Sequence, residues 1–329
     1  MDYSSVVRGE RLKNVEINPG RLCNNKCIFC MSGEERDDHN PWASLSRVKD
    51  ELEYHYQRGA RSVGFLGGEP TAYPYIIDSI SYARQIGYQR ITLCTNAMRL
   101  SQDDFFEEAL AAGLTRATVS VHSHVPEIEE RLVGIPRILE IKLRAIDNLI
   151  AAKKSGRLFD NVSLNPVLNR LNAPKMESFI QFFVERGIDD VRFNFIWPQS
   201  RALKDTSIVP RFSDVMPYVL KTILLNEREW KIQISFGAVP FCVVPAFFRE
   251  YKELLFKYFS EEGNDHPTEV GFINPGSEGD VNRFTLKART RYDHRMKVPI
   301  CRSCRLDSHC LGIWRSYIEL YGADEFQTV

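Results

Sequence analysis

The stretch RLCNNKCIFC (residues 21–30) places Cys23, Cys27 and Cys30 in a C-x3-C-x2-C spacing, and the next cysteine is Cys94. Thiolates this close together hold a metal or a cluster. Three of them leave a coordination position open. Zinc in a structural site prefers four protein ligands, and His39 is a conceivable but poorly placed fourth. An iron–sulfur cube held by three thiolates keeps one iron exchangeable. A second group, Cys301, Cys304 and Cys310, has the spacing C-x2-C-x5-C, and Cys242 in PFCVVP completes a possible four-thiolate set. Spacing alone leaves zinc and a closed cluster equal there. A disulfide framework suits short secreted chains, and this one has 329 residues. Cys94, in the strand-like ITLCTNAM, reads as a core thiol.

Such sites need loops delivered to one place. β-rich runs at 14–18, 62–67, 90–95, 116–121, 161–168 and 191–197 alternate with amphipathic stretches at 43–58, 74–86, 101–112, 138–155 and 175–186. This predicts consecutive βαβ units, a parallel sheet with helices outside. LSQDDFFEEALAAG carries a Ser before an acidic first turn and a Gly at its end, and Pro74 and Pro174 stand near helix starts. Six units are too few for the eight-stranded barrel, so the expected fold class is α/β, a partial (β/α)6 barrel. Ligands of such sheets gather beyond the carboxyl ends of the strands. The first cysteine group follows run 14–18, GGEPT (67–71) follows 62–67, and HSH (122–124) follows 116–121, so all three converge on one face. After about residue 200 the pattern changes to a helix-like stretch near 246–260, a Gly/Asp/Asn-rich loop at 271–282 and a hairpin around 283–298. The expected division is 1–210 for the barrel and 211–329 for a small C-terminal domain.

CNNKCIFC, with an aromatic before its third cysteine, followed by GGEPT in the next β-α unit, resembles the radical S-adenosylmethionine (SAM) superfamily over roughly residues 14 to 200. The resemblance implies a [4Fe–4S] cluster on Cys23, Cys27 and Cys30, whose open iron takes the amino and carboxylate groups of SAM. It implies reductive cleavage of SAM to a 5′-deoxyadenosyl radical that abstracts hydrogen from substrate. Phe29 matches the aromatic whose backbone lies against the adenine. Gly67, Gly68 and Glu69 match the motif that receives the SAM amino group. Asn96 and Ser120 stand at strand ends that often contact methionine or ribose, and Arg131 matches a basic position that often meets the SAM carboxylate. CRSCRLDSHCLGIW resembles the auxiliary-cluster extensions called SPASM and twitch, with Cys242, Cys301, Cys304 and Cys310 as ligands of a second [4Fe–4S] cluster. The full SPASM pattern expects another cysteine where Trp314 stands, so one auxiliary cluster, the twitch-like case, is expected.

Lys plus Arg (43) balance Asp plus Glu (43), which gives no field for nucleic acid, and no apolar run spans a bilayer. A polar N-terminus adds the expectation of a cytoplasmic protein. The expected function is hydrogen abstraction from a small molecule in biosynthesis, an oxidation assisted by the auxiliary cluster and supplied by a flavodoxin- or ferredoxin-type donor. The small-molecule preference rests on the cluster loop beginning by residue 23, with no peptide-recognition domain before it. A peptide-modifying maturase, forming a crosslink or epimer, and a non-catalytic metal-binding protein stay open. No catalytic residue is assigned; His122, His124, Asn165, Asn194 and Trp197 are strand-end candidates for the barrel mouth.

Overall fold

Strand and helix alternate because each strand carries apolar residues toward the helices on one face and polar residues on the other. The computed structural model describes residues 12–31, 42–259, 268–273, 281–285 and 293–329; His39 lies outside them. In chain order the elements are β1 (Asn14–Asn18), α1 (Leu45–Gln57), β2 (Ser62–Phe65), α2 (Ile76–Ile86), β3 (Arg90–Thr95), α3 (Asp103–Ala112) and β4 (Arg116–Val119). There follow α4 (Pro126–Val133), α5 (Ile138–Lys154), the short β5 (Val162–Leu164) and β6 (Val167–Leu168), α6 (Met176–Glu185) and β7 (Asp190–Phe195). The remainder is α7 (Arg201–Lys204), α8 (Phe212–Leu225), β8 (Gln233–Gly237), α9 (Ala246–Arg249), α10 (Lys252–Phe259), β9 (Glu269–Ile273), β10 (Val281–Thr285), β11 (Arg295–Met296), β12 (Ile313–Trp314) and α11 (Arg315–Tyr321).

The six expected strand runs form the parallel core β1-β2-β3-β4-β5-β7, with β6 also on β7. Val15, Ile17, Val63, Phe65, Leu93 and Val119 are fully buried against the helices. The chain beyond residue 210 extends this same sheet at both ends. β8 pairs parallel with β7, and β9 pairs parallel with β1. The expected loop at 271–282 therefore begins inside a strand. Gly271 reads as a turn residue, but a Cβ there would stand 3.0 Å from Glu51 Oε2, so the glycine admits α1 against the strand. Among the described residues of the expected hairpin around 283–298 the strands pair elsewhere: β10 pairs antiparallel with β9, while β11 pairs with β12 across the cysteine loop. Ser101 does not cap α3; it lies in a preceding turn and donates to the Met98 carbonyl at 2.7 Å, while Gly113 ends the helix at φ 116°. Among the described residues no helix is long and apolar enough to cross a membrane.

Candidate active site

The loop after β1 is held from two sides. Lys26 N donates to the Val133 carbonyl and Ile28 N to the Leu132 carbonyl, both at 3.0 Å, so the last turn of α4 receives the cysteine loop. Gly134, at φ +74°, permits this, since a Cβ there would meet Lys26 Cβ at 3.1 Å. On the other side Gly68 N donates to the Gly20 carbonyl at 3.0 Å and Glu69 N to the Leu22 carbonyl at 2.8 Å. A Cβ on Gly68 would stand 2.1 Å from the Leu22 carbonyl oxygen, and one on Gly67 2.2 Å from Asn18 Oδ1. The GGEPT segment is thus packed backbone to backbone on the loop that carries Cys23, Cys27 and Cys30. Burial pushes the Cys27 thiol up to about 12; Lys142 opposes this, and Cys23 and Cys30 are near enough to add to it. Cluster binding there must displace protons.

Glu69, 1% exposed, is the hub of the second side. Its Oε1 accepts from Thr71 N at 3.0 Å, Thr71 Oγ1 at 2.7 Å and Thr95 Oγ1 at 2.5 Å, and its Oε2 accepts from Asn96 N at 2.7 Å. Burial raises its pKa against the pull of these donors. The carboxylate binds the β2 loop to the end of β3. Asn96, also buried, donates through Nδ2 to Asn24 Oδ1 at 2.7 Å and so touches the cysteine loop. Ser120 follows β4; its N donates to the Thr95 carbonyl and its carbonyl accepts from Lys142 Nζ at 2.7 Å. Arg131 is exposed on α4, one residue before the carbonyls that hold the loop.

Beneath the β4 loop lies an ion pair with no exposure on either side: Lys142 Nζ and Glu129 Oε1 are 2.6 Å apart. Glu129 Oε2 accepts from His122 N at 2.8 Å and Ser123 N at 2.7 Å. Burial pushes His122 down to about 4, and its Nδ1 accepts from Val167 N at 3.1 Å, so the imidazole is neutral at pH 7. Its ring meets Phe29 edge-on at 4.7 Å. His122 therefore acts as a wedge between the cysteine loop and β6, while His124 packs on Phe179 and Phe182. At the strand ends Asn194 Nδ2 donates to Asn165 Oδ1 at 2.5 Å. Trp197 stacks on Trp314, with ring centres 4.4 Å apart and planes at 8°, which ties the C-terminal segment to the barrel mouth. Cys94 is not in the apolar core. Burial pushes its thiol up to about 12, and Glu16, Arg116 and Arg192 act on it across the polar face of the sheet.

The second cysteine group converges although its members lie far apart in sequence. Cys242, Cys301, Cys304 and Cys310 line one pocket with Lys297 and Asp307. Burial pushes the Cys242 thiol up to about 12, with Cys310, Cys301 and Cys304 each adding to the rise. All donors are thiols, which fits soft iron or zinc. Among the described residues no three His, Cys, Asp or Glu side chains are grouped so as to hold a single metal ion. Residues that sequence reasoning missed are Asn24, Glu129, Lys142 and Lys297. The signal for Lys142 was present: it is a cation on the buried face of α5, alongside Ile138, Leu139, Ala145 and Ile146.

A parallel barrel with a cysteine loop after its first strand, clamped by a glycine pair after its second, defines a cofactor-binding α/β enzyme. The chain belongs to the radical SAM superfamily, whose family model matches residues 17–183. Its relatives include a probable GTP 3′,8-cyclase of Sulfolobus acidocaldarius, 28% identical over 193 residues that cover 58% of each protein. Another, from Sulfurisphaera tokodaii, is 26% identical over 227 residues, covering 69% of this chain and 67% of that one. The fold matches Streptococcus suis SuiB bound to S-adenosylmethionine over 97% of this chain and 76% of that one, with TM-score 0.61 and 18% identity. It also matches anSMEcpe with bound AdoMet over 92% of this chain and 89% of that one, with TM-score 0.64 and 14% identity.

Proposed function

We propose that this protein abstracts a hydrogen atom from a small polar molecule and completes a net oxidation with the help of an auxiliary cluster. A [4Fe–4S] cluster on Cys23, Cys27 and Cys30 would supply the electron that cleaves SAM to the 5′-deoxyadenosyl radical. The chain's own part is to orient and to exclude water. The Gly67–Gly68 backbone stands beside the loop, Phe29 and His122 wall one side, and Asn96, Ser120 and Arg131 offer polar contacts to SAM. Glu69 would meet the SAM ammonium through Oε2, which accepts from Asn96 N alone, whereas Oε1 accepts from three donors.

The observation that carries the reading is the meeting of Cys242 with Cys301, Cys304 and Cys310 in one pocket. Four thiolates would close a second [4Fe–4S] cluster in a twitch-like C-terminal segment (211–329), whose β8 and β9 also extend the sheet of the barrel (1–210). A closed cluster accepts electrons without binding substrate, which suits an oxidoreductase. The polar inner face, with Glu16, Arg116 and Arg192 around Cys94, supports a polar small molecule, the class to which GTP belongs. A flavodoxin- or ferredoxin-type protein would supply electrons, and reduced thiols suit the cytoplasm. The structural match to SuiB bound to precursor peptide SuiA favours a second reading, a peptide substrate.

Anaerobic reconstitution tests this. The protein should be brown, hold about eight irons, and release 5′-deoxyadenosine from SAM under reductant. Candidate nucleotides and precursor peptides are then offered, and deuterium transfer into 5′-deoxyadenosine identifies the substrate. A colourless, zinc-holding protein inert toward SAM would leave only a metal-binding role.

A further inference from the structure

The loop between Cys304 and Cys310 is closed by one lysine. Lys297 Nζ donates to the Asp307 carbonyl at 3.1 Å, to Asp307 Oδ1 at 2.6 Å and to the Cys310 carbonyl at 2.8 Å. All three hydrogens of the ammonium are thereby committed. β11 ends just before Lys297 and pairs with β12, which begins just after the cysteine loop, so the lysine stands at the loop's neck. Among the described residues that line the four-thiol pocket, Lys297 is the sole cation and Asp307 the sole anion.

We propose that Lys297 is the positioning residue of the C-terminal cysteine site, shaping the Cys304–Cys310 loop and setting the electrostatic potential at the thiolates. The inference rests on the reading of that pocket as an iron–sulfur site. Four thiolates around a cluster concentrate negative charge, and the reduced cluster holds one electron more. A cation fixed on the pocket wall stabilises the reduced state relative to the oxidised one, and an anion does the reverse. Asp307 is 43% exposed against 30% for Lys297, so water screens the anion at least as well as the cation. The two charges, 2.6 Å apart, oppose each other at the site, so removing either one moves the potential in its own direction.

The test is a redox titration of the reconstituted holoprotein followed by electron paramagnetic resonance. The N-terminal cluster is identified by the change in its signal when SAM is added. Lys297→Met should lower the reduced-to-oxidised ratio of the other cluster several-fold at a fixed potential. Lys297→Arg should restore it, and Asp307→Asn, which keeps an acceptor for the ammonium, should move it the opposite way. A loop role alone would change iron content without these opposed shifts. Where Lys297→Met fails to hold the second cluster, Asp307→Asn decides, and an unshifted potential in it overturns the proposal. Zinc in the wild-type pocket overturns the cluster reading and this inference together. Iron there whose potential ignores both variants overturns the inference alone.

Discussion

At Gly68 there is no space for a methyl group, because the atoms it would strike are the backbone of Arg21 and Leu22, 2.1–2.4 Å away. Backbone cannot swing aside as a side chain can, so Gly68→Ala must push the GGEPT segment off the cysteine loop. The expected cost is about 1–3 kcal/mol, with loss of about four irons, the N-terminal complement, in metal analysis and thermal unfolding. Gly59 is the control: its φ of +90° strains alanine, but nothing lies within 4 Å. Gly59→Ala should cost about 1 kcal/mol and leave iron unchanged; equal iron loss in both would remove the packing argument. The placement of the cysteines, Gly67, Gly68 and Asn96 at strand ends was legible from the run pattern and local motif, while their part in holding a cluster and SAM belongs to the proposal. The internal bonding of Glu69 was not legible, since three of its four acceptor contacts come from Thr95, Asn96 and a threonine hydroxyl whose orientation the motif does not state. Trp197 was read as facing the mouth, yet its partner Trp314 comes from the other end of the chain.

Between elements, the Glu129–Lys142 pair fixes α4 to α5 and holds the β4 loop by its amides. Removing one partner of a fully buried pair costs about 3–5 kcal/mol, because the remaining charge loses its compensation. Lys142→Met should show this as a lower denaturant midpoint at pH 7. Burial alone would raise the Glu129 pKa, but Lys142 and the backbone amide of His122 hold it below its ordinary 4.5. Asp190, with Arg192 and Arg116 against burial, and Glu51, with His55 and Arg283 against burial, are depressed likewise. A carboxyl depressed in the fold takes up protons more readily in the unfolded chain. Its stabilisation is complete above the ordinary carboxyl pKa and is lost as pH falls through the depressed value. Wild-type stability should therefore be level above about pH 6.5 and begin to fall below it, because the unfolded chain protonates the imidazole that burial holds down to about 4 at His122. It should fall most steeply below about pH 4.5, as the carboxyls protonate. The Lys142→Met penalty should shrink over the same range, since a protonated Glu129 tolerates an apolar neighbour. A penalty independent of pH would show that lost packing, not charge, carries the effect. The βαβ alternation to residue 200 was readable from period alone. β8 and β9 were not, because each is five residues long and gains its identity from a strand far away in sequence, β7 and β1 respectively.

Across the whole molecule the two cysteine loops are supported unequally. The N-terminal loop lies between α4 and the GGEPT segment, with Asn25 and Phe29 buried and backbone bonds to Leu132 and Val133. The C-terminal loop consists of two short turns, Pro299–Ser303 and Asp307–His309, neither of which fully buries a residue. Its ties include the β11–β12 pair, the Trp197–Trp314 stack, Lys297, the Arg305 N bond to the Val329 carbonyl at 2.9 Å and the ring contact of His309 with Phe256. The barrel strands are held by burial of aliphatic and aromatic residues such as Val15, Ile17, Val63 and Phe65, with Cys27, Cys242, Cys301 and Cys310 only partly buried at the edge of this core. Where a loop has little apolar burial, metal binding supplies its folding free energy. Stripping iron with a chelator should therefore leave the protection of β1–β4 in hydrogen exchange unchanged and raise exchange modestly in residues 23–30. In residues 299–310 the rise should be much larger, more than tenfold for a loss of about 1.4 kcal/mol in local stability. Equal loosening of the two loops, or loss of protection in the barrel strands, would show that the first loop depends on its metal as fully as the second.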